Sequence, residues 1–138
     1  MDESRDSDSV IVAQIVGDGT YLFSAPSSVY WLSSRYRIPI LTVILNNKGW
    51  NAPWVSMQLV HPTGEGSRAS NRDLHISFDP SPDYAGIAKA AGGDMVWTGV
   101  AETTGDFAAT IKEAIQLVKS GRTAVVECKI PGIDPTVG

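Results

Sequence analysis

Gly17-Asp18-Gly19-Thr20 and Asn46-Asn47-Lys48-Gly49, with Asn47 twenty-nine positions after Asp18, decide how this chain folds. Each cluster ends an apolar run. Residues 10–16 are apolar at nearly every position and stop at Gly17; residues 40–45 are rich in β-branched side chains and stop at Asn46. Such runs predict strands covered on both faces. Between them lies a helix-length segment. Ser24 is its expected N-cap, Pro26 falls in its first turn, and Val29, Tyr30, Leu32 and Tyr36 mark one apolar face. Ile38-Pro39 ends it, because the residue before proline avoids the helical region. Strand, loop, helix, strand, loop is a βαβ unit with parallel strands and a right-handed crossover. As sheet neighbours the two strands would lie about 4.8 Å apart. Asp18 and Asn47 would then face one space at the carboxyl edge, where open α/β sheets bind ligands. A carboxylate and an amide oxygen there suit Mg²⁺, which takes oxygens at about 2.1 Å, with neighbouring ligands roughly 3 Å apart. Phosphate oxygens can complete the shell. Gly17, Gly19 and Gly49, lacking a Cβ, let backbone groups approach an anion or ion closely.

The rest of the chain extends the alternation. Residues 51–60 predict a short helix, with Trp50, Trp54 and Gln58 along one face; the two tryptophans anchor it to the sheet or to a partner subunit, or line a cofactor or substrate pocket. Residues 61–82 are poor in aliphatic side chains and form no clear element, which is long for a compact domain. A segment of that kind is functional, disordered or ordered against a partner. His61, Asp73 and His75 fall in it and read as surface residues, because their spacing matches no zinc site. Ser81-Pro82-Asp83 predicts a helix start, Tyr84, Ile87, Ala88 and Ala91 its apolar face, and Gly92-Gly93 its end. Residues 94–97 predict a short strand. Thr103 or Thr104 caps a further helix with Asp106 early in it; Phe107, Ile111, Ala114, Ile115 and Val118 recur at helical spacing, and Gly121 stops it. Residues 123–128 are the last strand. The fold class is α/β, a mainly parallel sheet of four strands flanked by helices.

Composition bounds the function. The chain has 138 residues, 43% of them apolar, enough for one domain with a core. The net charge is −4, but four acids and one arginine fall in residues 1–9, which read as a disordered tail ahead of a domain over 10–138. With no basic face, nucleic acid is not an expected partner, and no apolar run is long enough for a membrane span. Residues 1–9 are acidic and polar, unlike a targeting peptide. A lone cysteine, Cys128, excludes an internal disulfide; it reads as a buried strand residue, and an intracellular setting, cytoplasmic or organellar, is expected. No Gly-x-Gly-x-x-Gly and no phosphate-loop lysine is present, which disfavours an ordinary nucleotide-binding domain.

Gly17-Asp18-Gly19-Thr20, Arg35-Tyr36-Arg37-Ile38-Pro39, Leu41-Thr42-Val43-Ile44-Leu45-Asn46-Asn47 and Gly49-Trp50 resemble the diphosphate-binding domain of thiamine-diphosphate-dependent enzymes. The likeness is to the acetolactate synthase / pyruvate decarboxylase group and covers about residues 11–130. It implies that Asp18, the Asn47 side chain and the Gly49 carbonyl ligate Mg²⁺. It also implies that Gly17, Gly19, Thr20 and Trp50 surround the thiamine diphosphate. The family's domain opens with a glycine-bearing segment and a helix ahead of the Gly-Asp-Gly strand, and this chain lacks them. It also lacks the pyrimidine-binding domain, whose glutamate activates the cofactor; none of Glu3, Glu65, Glu102, Glu113 and Glu127 matches that motif. The resemblance therefore implies the metal and diphosphate clamp of a 2-oxo acid decarboxylase or carboligase. Such a clamp is inactive alone, and it would work with the pyrimidine-binding domain of a full-length subunit in a homo-oligomer. The chain ends soon after its last strand, as expected where this domain comes last. A non-catalytic relic or association module with weak or no cofactor binding is the alternative.

Overall fold

The computed structural model describes residues 10–132, so the expected tail over residues 1–9 lies outside them. Among the described residues four strands form one sheet: β1 (Val12–Gly17), β2 (Ile40–Asn46), β3 (Val96–Ala101) and β4 (Thr123–Lys129). All pairings are parallel and the order is β1-β2-β4-β3. β1 and β2 are neighbours, with Gly17 opposite Leu45. The sheet thus has the alternating α/β architecture expected. β3 starts two residues later and runs longer than the expected 94–97, because a short 3₁₀ turn over Gly93–Met95 comes first.

Helices α1 (Asp18–Phe23), α2 (Pro26–Tyr36), α3 (Asn51–Val60), α4 (Tyr84–Gly92) and α5 (Thr104–Lys119) make the connections. Two cores result. On one face Tyr21, Tyr30, Tyr84 and Ala88 close over Ile44, Val96 and Val125. On the other, Ala114 and Val118 of α5 pack on Leu41, Val43, Ala124 and Val126, with Cys128 buried beside them. α5 begins as its sequence predicts: Thr103 accepts the Asp106 N–H, and Asp106 reaches back to the Thr103 N–H, a capping box. Gly93 (φ 60°) and Gly121 (φ 93°) take the left-handed turns that follow α4 and α5. Among the described residues no helix is long and apolar enough to cross a membrane.

Several expectations are corrected. β1 is not covered on both faces. It is an edge strand, and Val12 and Ile15 are 60% and 70% exposed. The helix expected from Ser24 is α2, and the loop expected ahead of it holds a further helix, α1. α1 starts at Asp18, directly on the β1 tip, and Ser24 is its C-cap, donating its N–H to the Thr20 carbonyl and its hydroxyl to the Tyr21 carbonyl. α2 starts after Ala25, which takes a left-handed conformation (φ 51°). Of its expected apolar face only Tyr30 is buried, packed with Tyr21, Tyr84 and Ala88; Val29, Leu32 and Tyr36 are exposed. α4 starts two residues later than expected: Asp83 is its cap, accepting the Gly86 N–H at 2.7 Å. The segment 61–82 is not structureless. It holds a 3₁₀ turn over Gly66–Arg68, a run of turns, and buried Ser67, Asn71 and Ile76.

Candidate functional site

Pairing of β1 with β2 sets their carboxyl tips side by side. Asp18, the first residue past β1, is 2% exposed. Its Oδ1 accepts the Gly19 N–H at 2.8 Å and its Oδ2 accepts the Gly49 N–H at 3.1 Å, so the carboxylate ties the β1 tip to the loop after β2. Burial pushes its pKa above the ordinary 3.8, and backbone hydrogen bonds from Gly19, Gly49, Lys48 and Asn47 pull the other way. The described ion pairs, Lys48–Asp79 and Lys129–Glu102, are exposed, and neither involves Asp18. Among the described residues Asp18 is thus a buried acid without a cationic side chain against it, and buried charges are ordinarily paired or bound to metal.

Asn47 is half-buried. One end of its amide lies 3.2 Å from Asp18 Oδ1 and 2.8 Å from the Gly49 carbonyl. With Nδ2 at that end, both contacts are hydrogen bonds, and Oδ1 at the far end accepts from Asn51 Nδ2 at 2.8 Å. With Oδ1 at that end, the amide oxygen stands beside a carboxylate and a carbonyl oxygen, each at the roughly 3 Å spacing of neighbouring Mg²⁺ ligands. The amide's orientation follows its surroundings. The same geometry therefore serves a metal-free and a metal-bound arrangement, and the residues fit a hard cation.

The β2 tip is held from two sides. Asn46 is 2% exposed; its Nδ2 donates to Glu127 Oε1 at 2.7 Å and Ser81 Oγ at 3.3 Å, while its Oδ1 accepts the Lys48 N–H at 3.0 Å. That local turn carries Lys48 at φ 60°, a conformation an Asn side chain supports. Successive side chains of a strand point to opposite faces, so Asn46 braces the sheet and Asn47 serves the site. On the other side, the Phe78 N–H donates to the Lys48 carbonyl and the Trp50 N–H to the Ile76 carbonyl, each at 2.8 Å, with Gly49 bridged antiparallel to Ser77. A Cβ on Gly49 would stand 3.2 Å from the Ile76 carbonyl, so glycine lets this clasp close.

The remaining residues singled out from sequence gather at the same edge. A Cβ on Gly19 would meet the Trp50 ring at 3.1 Å, so the glycine seats that ring. Trp50 also stacks against Phe23 with centroids 4.9 Å apart, and Phe78 joins them. Trp50 therefore anchors to α1 and not to the sheet, and α3 has no fully buried residue. Gly17 is exposed, with open space where a Cβ would point, and Thr20 is exposed on the first turn of α1. His61, Asp73 and His75 are exposed, and among the described residues no three His, Cys, Asp or Glu side chains cluster. A cleft of about 380 Å³ opens further along the edge, lined by Leu45, Thr103, Phe107, Cys128 and Ile130 among others, and does not contain Asp18 or Asn47. The cleft is mostly apolar, unlike the oxygen cluster around Asp18. Sequence reading missed Asn46 as a brace, Asn51 and Asn71 as partners, and residues 76–78 as a clasp. The polar bias of 61–82 was the only signal for the last.

The geometry defines an α/β domain that presents its ligand groups at the tips of adjacent parallel strands. The family follows from the sequence: residues 5–128 match the family described as thiamine pyrophosphate enzyme, C-terminal TPP binding domain, and the chain belongs to it. No curated protein matches the chain. Among solved structures it is similar to the thiamine diphosphate-dependent 4-hydroxybenzoylformate decarboxylase of Rhodococcus jostii RHA1, with a TM-score of 0.69 and 19% identity. The match covers 92% of this chain and 21% of that one, so the likeness is one of fold and this chain spans about a fifth of that enzyme's length.

Proposed function

We propose that the chain is the metal and diphosphate clamp of a thiamine-diphosphate-dependent 2-oxo acid decarboxylase or carboligase of the acetolactate synthase type. One observation carries this reading. Asp18 is buried with no cationic partner among the described residues, and one end of the Asn47 amide lies 3.2 Å from its Oδ1 and 2.8 Å from the Gly49 carbonyl, the spacing of neighbouring ligands around Mg²⁺. In this role Asp18 Oδ1, Asn47 Oδ1 and the Gly49 carbonyl hold the cation. Gly17, Gly19 and Thr20 border the diphosphate, with Trp50 over Gly19. When bound, the cofactor supplies an electron sink for cleavage beside a carbonyl. The chain's own residues bind and orient, and the Glu127 carboxylate is engaged on the sheet side, accepting from Asn46.

Activation of the cofactor then falls to a pyrimidine-binding domain of a full-length subunit, and the working unit is a homo-oligomer inside the cell. The open β1 edge and the exposed Trp31, Leu32 and Ile38 support such a neighbour, because apolar surface of this extent marks contact sites. The 4-hydroxybenzoylformate decarboxylase likeness favours decarboxylation as the reaction class.

Titration calorimetry with thiamine diphosphate, with and without Mg²⁺, tests the clamp. Binding is expected only with the metal and is abolished by Asp18→Ala; unchanged binding in that variant removes Asp18 from the site. Mixing the chain with a separately made pyrimidine-binding domain and following pyruvate consumption distinguishes an enzyme part from a non-catalytic relic.

A further inference from the structure

Resting on the proposed cation site, we infer that Asn51 and Asn71 are positioning residues that set which end of the Asn47 amide faces the cation. Three amides stand in line. Asn71 Nδ2 donates to Asn51 Oδ1 at 3.0 Å, and Asn51 Nδ2 lies 2.8 Å from the end of Asn47 that points away from Asp18. Each amide has one donor end and one acceptor end, so the chain has a polarity. In the metal-free arrangement Asn71 donates to Asn51, Asn51 to Asn47, and Asn47 to Asp18 and the Gly49 carbonyl.

A cation reverses that polarity. Asn47 must then offer Oδ1 to the metal, which turns its Nδ2 toward Asn51 Nδ2, donor against donor at 2.8 Å. Asn51 resolves the clash by turning its own Oδ1 to Asn47, and its Nδ2 then faces Asn71, which presents an acceptor in turn. Water is a poor substitute here, because Asn71 is 7% exposed and an unmet buried donor is costly. Asn71 is also fixed through its backbone: its carbonyl accepts the Ile76 and Ser77 N–H groups at 3.0 and 3.2 Å. Those residues form the clasp on loop 48–50, so the segment 61–82 supports the ligand shell by side chain and by backbone together.

Two variants at Asn51 test the relay. Asn51→Asp has acceptors only, so it can take N–H groups from Asn47 and Asn71 at once and hold Asn47 in the metal-binding orientation. Asn51→Leu accepts from neither. In a ¹⁵N-resolved NMR titration of the whole chain with Mg²⁺ at saturating thiamine diphosphate, the side-chain amides of Asn47, Asn51 and Asn71 are expected to shift with one midpoint. In metal-free Asn51→Asp the Asn47 signal is expected already at its metal-bound position. Asn51→Leu is expected to weaken Mg²⁺ about 10–100-fold, with Asn51→Asp retaining affinity and urea midpoints confirming that both variants fold. A shift of Asn47 alone, or wild-type affinity in Asn51→Leu, overturns the relay and leaves the metal site standing. Absence of any Mg²⁺-dependent binding in the unaltered chain overturns the metal site itself, and the relay with it.

Discussion

β1 and β2 run side by side over six residue pairs and are built from similar apolar residues, yet their surroundings are opposite. Leu41, Thr42, Val43 and Ile44 of β2 are at most 5% exposed, between β1 and β4 and under helices on both faces. β1 has one neighbour, and Val12 and Ile15 stand largely open. An apolar run tells that a segment is a strand; where that strand sits in the sheet is decided by chain far away. At the tips the contrast reverses. The exposed strand delivers the buried Asp18, and the buried strand delivers the half-buried Asn47.

The sharpest test of this contrast is a cavity in β2. Ile44→Ala removes a fully buried side chain and is expected to cost about 2–5 kcal/mol in urea unfolding. A smaller effect is expected from the charge at the β1 tip. The folded state holds the Asp18 proton more tightly than the unfolded chain does, so this group lowers metal-free stability as pH rises above 3.8. Urea midpoints followed against pH should therefore decline less steeply in Asp18→Asn, and added Mg²⁺ with thiamine diphosphate should stabilise the unaltered protein more at pH 7 than at pH 4. An equal slope in both proteins would mean that Asp18 is as well solvated as in the unfolded chain. Smaller again is the link between the strands: Gln14 Nε2 donates to buried Thr42 Oγ1 at 2.9 Å, and Thr42→Val should cost about 1 kcal/mol by the same measurement. Ile15→Ala on β1 should change stability by less than about 0.5 kcal/mol. A large loss there would show that the β1 edge is covered in solution.

Much of this was readable from residue order. The strands announced themselves through β-branched runs, Thr103 and Asp106 through their capping spacing, and the Asp18–Asn47 meeting through the parallel crossover. What stayed hidden depended on partners distant in the chain. α1 is six residues long and starts without a side-chain cap, so local propensity did not reveal it. Asp83 and not Ser81 caps α4, a choice between two adequate caps that Tyr84 packing against Tyr21 settles. The order in 61–82 comes partly from local turns and partly from main-chain bonds of residues 76 and 78 to residues 50 and 48, which leave no pattern in side chains. Asn51 and Asn71 look like ordinary turn and helix-start residues until the fold brings them to Asn47.

Strand order β1-β2-β4-β3 has a bearing on how the chain is made. The ribosome releases β2 and β3 well before β4, yet each finds its shared neighbour only in β4. Until residue 129 emerges, the nascent chain holds two halves of a sheet with a strand-wide gap between them. The middle of the molecule is the last part of the sheet to exist, so a stop codon ahead of Thr123 would remove its keystone while sparing Asp18 and Asn47.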